Sequence, residues 1–342
     1  MKYFLIIFFT SFSLAAKDCT KPVMPSQIEW NDWIYNVKIE ALSLGISKET
    51  VNKELFSVQP QAKIIMRDRC QPENNITLEE YLYYRVDKAR IVIGKNMLKN
   101  FEKDLKSIGD YFGIQPRFII AILGMESYYG RNQGKINTIE AVTTLAFDRR
   151  RSDFYRKQLF AALRIIDQEL VKSDNFNGSW GGAIGMTQMI PTTFLDSAYD
   201  WDGNGIDIWN SYLDAFASTA NYLTSINKNP WMNDSTWGRE VMPPNNIHLI
   251  YENFKQINPK GCGAVKSRSQ FKTLKEWSRL GFLNIDGSLL PTRNDLEARL
   301  VAPDGSSGRM FIVYPNYKNI LYYNCSSYYA ISVGLLSDKI SN

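Results

Sequence analysis

The chain has 342 residues, 44% of them hydrophobic and 22% charged, the balance of a folded globular protein and not of a disordered one. That length is enough for one large domain or two moderate ones. The formal charge is +5 with no standout basic run, which excludes nucleic acid as the partner class while staying compatible with an anionic polymer.

The first residues, MKYFLIIFFTSFSLAAKDCTKP, read as a secretory signal. Lys2 forms a short positive region, Tyr3 to Leu14 an apolar one, and small residues place the cleavage after Ala16. The apolar run is too short to span a bilayer, and no later stretch is apolar enough to do so. Cys19 follows Lys17 and Asp18 instead of small residues, so the reading is a soluble exported protein and not a lipid-anchored one. Cys19, Cys70, Cys262 and Cys325 then remain for two disulfides, with three connectivities open. His248 is the single histidine, which argues against a His-based zinc site and reads as a surface residue.

Along the chain the pattern is mainly helical. Gln27–Leu44 has helical apolar spacing and stops at Gly45; Ser47 then caps KETVNKELF. Ile76–Leu98 reads as one long helix, with Thr77 and Glu80 in a capping-box pattern. Lys103–Phe112 runs to Gly113. Pro116 opens the next helix, with Gly130 as its stop. Thr138–Phe147, Asp153–Leu170, Pro191–Ala198 and Tyr212–Ile226 follow, with Thr192 a candidate cap after Pro191. From Pro230 onward loops and short apolar runs such as FIVYPNY and NILYYN take over, before a last helix over Ser326–Leu336. The whole predicts a mainly α, at most α+β, fold.

Within RFIIAILGMESYYGR, Glu126 is a lone acid on an apolar helical stripe, with Ile122, Leu123 and Tyr129 as its expected face neighbours. It lies in the last turn, where the helix dipole disfavours negative charge. Desolvation and dipole both raise its pKa, as a group that protonates a glycosidic leaving group requires. The bland alternative is a buried Glu paired with Arg131 or Arg150. NGSWGGAIGMTQMIPTTF, Asn177–Phe194, adds a Gly-rich loop that lets backbone approach a ligand closely, with Ser179 and Gln188 as polar groups. It matches no phosphate-cradling pattern. Glu140, Asp148 and Asp153 read as helix, loop or cap residues, so no second catalytic carboxylate is placed.

Taken together, ESYYG, FDRRRSDFYRKQL, GSWGGAIGMTQMIPTTF, AYDWDGNGIDIWNSYLDAFASTANYL, WGREV, WSRLGF, YPNYKNI and YYNCSSYYA resemble the lytic murein transglycosylase B family, over about residues 28–340. The resemblance implies a lysozyme-like helical catalytic core at 114–229, with an N-terminal helical region at 17–113 and a C-terminal region at 230–342 packed around it. It implies that Glu126 is the catalytic acid and base, and that Ser179, Gln188, Arg150, Arg151, Tyr222, Tyr323, Asn324 and, less closely matched, Tyr81 line the glycan site. The implied reaction is non-hydrolytic cleavage of peptidoglycan to 1,6-anhydromuramoyl ends in the periplasm of a Gram-negative bacterium. No cofactor is required, and no docking segment for other cell-wall machinery is visible.

The loop DWDGNGIDIWNS begins like an EF-hand, with Asp200, Asp202 and Asn204 at ligand positions and Gly205 at the turn. Ser211 stands where a bidentate acid belongs, so a Ca2+ or Na+ site and a metal-free Asx/Gly turn stay open, with Asp207 or Asp214 as substitute ligands. A hydrolytic muramidase and a non-catalytic glycan-binding scaffold are the competing functions.

Overall fold

The computed structural model describes residues 22–70, 76–225, 230–293 and 295–341. The expected signal segment and Cys19 lie outside them.

Helices come first: α1 (Gln27–Ser43), α2 (Lys48–Glu54), α3 (Ala62–Arg69), α4 (Leu78–Arg85), α5 (Lys88–Asn100), α6 (Glu102–Phe112) and α7 (Pro116–Ser127). Ser47 and Thr77 cap α2 and α4 as their sequences predict, Thr77 with Glu80 in a capping box. The long helix expected over Ile76–Leu98 is two helices. Asp87 accepts from the Arg90 N–H at 2.9 Å and so starts α5 afresh, a cap that outcompetes helix continuation. The sequence reading did not single out α3.

The middle of the chain supplies α8 (Thr138–Phe147), α9 (Ser152–Asp167), α10 (Pro191–Ser197) and α11 (Tyr212–Ser225), with β1 (Ile136–Asn137) antiparallel to β2 (Asn177–Gly178). Thr192 does not cap α10: Pro191 occupies the first turn after Ile190, and both the N–H and the hydroxyl of Thr192 donate to Gln158 Oε1. The last third holds β3 (Gly238–Met242), α12 (Ile247–Ile250), α13 (Gly263–Lys266), α14 (Leu274–Arg279), β4 (Leu283–Asn284), β5 (Arg299–Val301), β6 (Met310–Val313), α15 (Pro315–Tyr323) and α16 (Ser327–Ser341). The sheet is antiparallel in the order β4-β3-β6-β5. The apolar run NILYYN lies within α15, opened by Pro315, and α16 outlasts the helix expected there. His248 sits exposed on α12 beside Ser306 Oγ at 3.2 Å.

Three apolar cores organise these elements. The first surrounds α7 with α4–α6, α11, α15 and α16. The second joins α1–α3 to α8–α10 and the Gly-rich loop. The third underlies the four-stranded sheet and α14. Phe118 to Leu123 of α7 are fully buried on every side, the mark of a central helix and not a surface one. Glu126 therefore leaves the core at the end of its most deeply buried helix.

Candidate active site

The end of α7 is fixed by unusual backbone. Tyr128 and Tyr129 both have left-handed φ, 53° and 60°, ahead of Gly130 at 84°. The helix thus stops two residues before the expected glycine, and Tyr129 leaves the face of Glu126. Its hydroxyl instead donates to the Arg90 carbonyl at 2.8 Å. Non-glycine residues in this region cost free energy and need surrounding contacts to hold them. Ser127 supplies some of these: its hydroxyl donates to the Met186 carbonyl at 2.6 Å and accepts from the Gly130 N–H at 2.8 Å. The end of α7 and the Gly-rich loop are thereby one unit.

That loop is built by close backbone approach. Ser179 Oγ accepts from the Ala183 N–H at 3.1 Å, while the Ser179 N–H donates to the Ala183 carbonyl at 2.7 Å. At Gly182, φ is 78° and a Cβ would meet Val142 Cγ1 at 2.4 Å, so only glycine fits. Gln188, also left-handed, donates its amide to the carbonyls of Gln133 (3.0 Å) and Gly185 (2.9 Å). Trp180 is half-buried against the second core.

Glu126 accepts a 2.5 Å hydrogen bond on Oε1 from the Tyr329 hydroxyl of α16. Burial raises its pKa to about 7; the Tyr329 hydrogen bond and the positive charge of Arg85 pull it the other way but do not win. Neither expected cation partner reaches it in an ion pair: Arg150 is taken by Asp68, and Arg131 lies over the Tyr128 ring at 5.6 Å. Among the described residues, no carboxylate acts on Glu126.

Tyrosines crowd this acid. Tyr323 donates to the Thr187 carbonyl at 2.6 Å, and its ring meets Tyr222 edge-on at 4.9 Å. Tyr222 donates to the Tyr322 carbonyl at 2.9 Å. Burial pushes the Tyr222 phenol up to about 12, and those of Tyr323 and Tyr329 well above their ordinary value, each also feeling the Glu126 charge. All three stay protonated at neutral pH and act as neutral hydrogen-bonding groups. Tyr81 stands behind them, its ring 5.7 Å from Tyr328 and 5.6 Å from the Arg85 guanidinium. Asn324 is exposed at the end of α15.

Arg150 and Arg151 are held apart from this cluster of contacts. Arg150 Nε donates to Asp68 Oδ2 at 2.6 Å, and Arg151 pairs with Asp68 Oδ1 and reaches Tyr155 Oη at 3.0 Å. Burial alone would push the Asp68 carboxyl up, but the two arginines hold it below its ordinary value. Asp68 clamps both guanidinium groups onto α3. Sequence reasoning missed Tyr329, Arg85 and Asp68. Tyr329 lies within the quoted run YYNCSSYYA, yet nothing local marks it as the partner of an acid 203 positions away.

Between the 200–211 loop and the first turn of α11, carboxylate oxygens of Asp200, Asp202 and Asp214 lie within 4.8 Å of one another. Asp214 is buried, with Oδ1 and Oδ2 accepting from the N–H groups of Trp201 (2.9 Å) and Asp207 (2.8 Å). Asp200 accepts from Gly203 and Gly205. Asp207 instead binds the Trp209 and Asn210 N–H groups. Burial raises the Asp214 pKa, and repulsion from Asp202 and Asp200 adds to it. No lysine or arginine forms a salt bridge to these three acids among the described residues. Asn204 lines an adjoining groove of about 990 Å³ with Gly130–Lys135.

Residues 29–338 match the transglycosylase SLT domain family. SltB3 of Pseudomonas aeruginosa, solved in complex with NAG-anhNAM-pentapeptide, superposes with a TM-score of 0.82 at 35% identity, covering 92% of this chain and 80% of that one. SltB1, a soluble lytic transglycosylase of the same organism, gives 0.76 at 24% identity over 90% and 98%. The membrane-bound lytic murein transglycosylase B of Escherichia coli is 28% identical over 244 residues, 70% of this chain and 61% of that protein. This chain thus spans less than two thirds of the length of the E. coli relative. No helix among the described residues is long and apolar enough to cross a membrane. With Glu126 desolvated at the end of α7, the Gly-rich loop and a family match over nearly its whole length, the chain belongs to the transglycosylase SLT domain family, of the lytic murein transglycosylase B type.

Proposed function

We propose that the protein is a lytic transglycosylase that cleaves the MurNAc-β-1,4-GlcNAc bond of peptidoglycan without water. One observation carries the reading: Glu126 is a desolvated carboxyl poised near pH 7, hydrogen-bonded by Tyr329, with no carboxylate among the described residues acting on it. A group balanced at that pKa gives and takes a proton with equal ease. Protonated Glu126 donates to the glycosidic oxygen as the C1–O bond breaks. The N-acetyl carbonyl oxygen of the muramoyl residue closes on C1, which takes the place of the second carboxylate that ordinary glycosidases employ. The C6 hydroxyl then attacks C1, the amide oxygen leaves, and Glu126 takes the hydroxyl proton. Atoms balance without water, and the product is a 1,6-anhydro end.

The neutral phenols of Tyr222, Tyr323 and Tyr329 fit this scheme. They orient the acid and the sugar without offering a competing base. Ser179 closes the Gly-rich loop on itself and Gln188 ties it to Gln133 just past α7, while Arg150 and Arg151, oriented by Asp68, would meet carboxylates of the lactyl or peptide substituents. The muramidase alternative calls for a second acid beside Glu126. The scaffold alternative does not account for an acid held at this pKa. The N-terminal signal and the oxidised Cys262–Cys325 pair favour the periplasm, where peptidoglycan strands are the partner. Mass spectrometry of digested peptidoglycan tests the reading: anhydro ends support it, and reducing ends contradict it.

The 200–214 loop extends the proposal. Three carboxylates so close, one of them buried, fit a hard cation such as Ca2+ or Na+, held by Asp200, Asp202 and Asp214 with Asn204 beside them. Such an ion compensates charge and orders the loop; it supplies no step of the reaction. Added Ca2+ is then expected to raise the thermal midpoint by several degrees, and Asp202→Ala to abolish that rise. An unchanged midpoint means an Asx/Gly turn that needs no metal.

A further inference from the structure

A second cleft, of about 810 Å³, opens between α1 and the α8–α9 connection, within the ~300–1,000 Å³ range of small-molecule sites. None of the tyrosines around Glu126 lines it. Trp33 and Phe147 form its apolar side. Trp33 stacks on Trp30 at 5.3 Å, and Phe147 meets both indoles edge-on at 5.3 Å, so the two rings are held rigidly.

Its polar side is partly uncommitted. Asp148 is 8% exposed and Arg69 engages its Oδ1, but its buried Oδ2 has no hydrogen-bond partner among the described residues. A buried carboxylate oxygen left unpaired is costly, and it points to a donor that arrives from outside. Next in the chain, Arg149 is exposed and forms no ion pair among the described residues. Arg156, by contrast, is committed to Glu40. The cleft's three acids, Glu29, Asp148 and Asp153, balance its three arginines, Arg69, Arg149 and Arg156. It therefore does not select a strongly charged ligand.

Rigid aromatic rings, a carboxylate oxygen and a guanidinium that have no partner among the described residues, and no net charge describe a site for a neutral sugar. We propose that this cleft is an outlying saccharide subsite that takes an N-acetylhexosamine unit. Trp33 and Phe147 pack on the apolar face of the ring, Asp148 Oδ2 accepts from a hydroxyl or amide N–H, and Arg149 donates to a sugar oxygen. The cleft shares the loop of residues 148–152 with Arg150 and Arg151, which Asp68 clamps. The proposal rests on the glycan-strand reading of the Glu126 site, and it adds an anchoring contact for a strand outside that site.

Binding is measured in a Glu126→Gln background, so turnover does not enter. The probes are the β-1,4-linked tetramer of N-acetylglucosamine and peptide-free glycan strands, titrated by calorimetry and by indole fluorescence. Arg149→Ala, at an exposed residue without an ionic partner among the described residues, is expected to weaken strand binding roughly fivefold, and Asp148→Asn with it roughly tenfold or more, as loss of charge-assisted hydrogen bonds predicts. The thermal midpoint of Arg149→Ala should match its parent. Should Asp148→Asn fail to fold, Arg149→Ala alone decides. Unchanged strand affinity in Arg149→Ala overturns the subsite. So does Arg149-dependent binding of a free muramoyl pentapeptide with none of the tetramer. If the wild-type enzyme forms no anhydro ends, the reading of Glu126 fails instead, and that result is obtained separately from these titrations.

Discussion

At the scale of single residues, the proposed chemistry turns on how Glu126 is held. Its Tyr329 hydrogen bond favours the carboxylate, so Tyr329→Phe should raise the Glu126 pKa above about 7 and move the alkaline limb of the pH–rate profile upward. The rate should fall roughly tenfold through lost positioning, in line with a hydrogen bond to a charged group. A profile that does not move means that Tyr329 is only a packing residue. The same burial links catalysis to stability. A carboxyl raised from 4.5 to about 7 on folding favours the native state fully below pH 4.5, and this contribution is lost as pH rises through 7. The cost at higher pH is about 3 kcal/mol. Glu126→Gln, which still accepts from Tyr329, should therefore melt higher than wild type at pH 8, with the gap closing toward pH 5. Equal midpoints at both values would show an acid that is not desolvated. Glu126 itself was legible in the sequence, because an acid on an apolar stripe needs only local spacing to be noticed. Tyr329, Arg85 and Asp68 were not, because each acts across the fold.

At the scale of elements, the site depends on how α16 docks on α7. Arg117 Nη1 pairs with Asp338 Oδ1 at 2.5 Å, and Trp237 Nε1 donates to Asp338 Oδ2 at 2.9 Å. At Gly334 a Cβ would sit 2.1 Å from the Trp237 ring. Gly334→Ala should thus push α16 away, destabilise the protein by about 1–3 kcal/mol, and lower activity beyond what unfolding accounts for, since Tyr329 rides on the same helix. Denaturant titration with a parallel activity assay checks this; loss of stability with full specific activity would separate docking from function. Helices with local signals, such as the capping box at Thr77 or the proline starts of α7 and α10, could be read from the chain; α15, opened by Pro315, reads in the sequence as short apolar runs instead. The break at Asp87 could not be told from a charged surface position, and the early end of α7 comes from two tyrosines in left-handed backbone, which no propensity favours.

At the scale of the whole molecule, the site draws Glu126 from the end of α7, its loop from residues 177–194, and its tyrosines from α11 and from α15 and α16 near the C-terminal end. The Cys262–Cys325 disulfide, with Cα atoms 6.2 Å apart, fastens the segment between Tyr323 and Tyr329 to the sheet-bearing third of the protein. The mainly helical content was readable from periodicity, whereas the lysozyme-like architecture came only with the family resemblance. The packing of residues 22–70 onto α8–α10 was not, because their contact surfaces have no counterpart in local pattern. The central claim is that one acid breaks a glycosidic bond without water, and peptidoglycan digested in H₂¹⁸O and read by mass spectrometry tests it most directly. The account predicts muropeptides one water lighter than reducing ends, free of ¹⁸O, and absent with Glu126→Gln. Reducing ends carrying ¹⁸O would contradict it and place a hydrolytic water, and a base to activate it, beside Glu126.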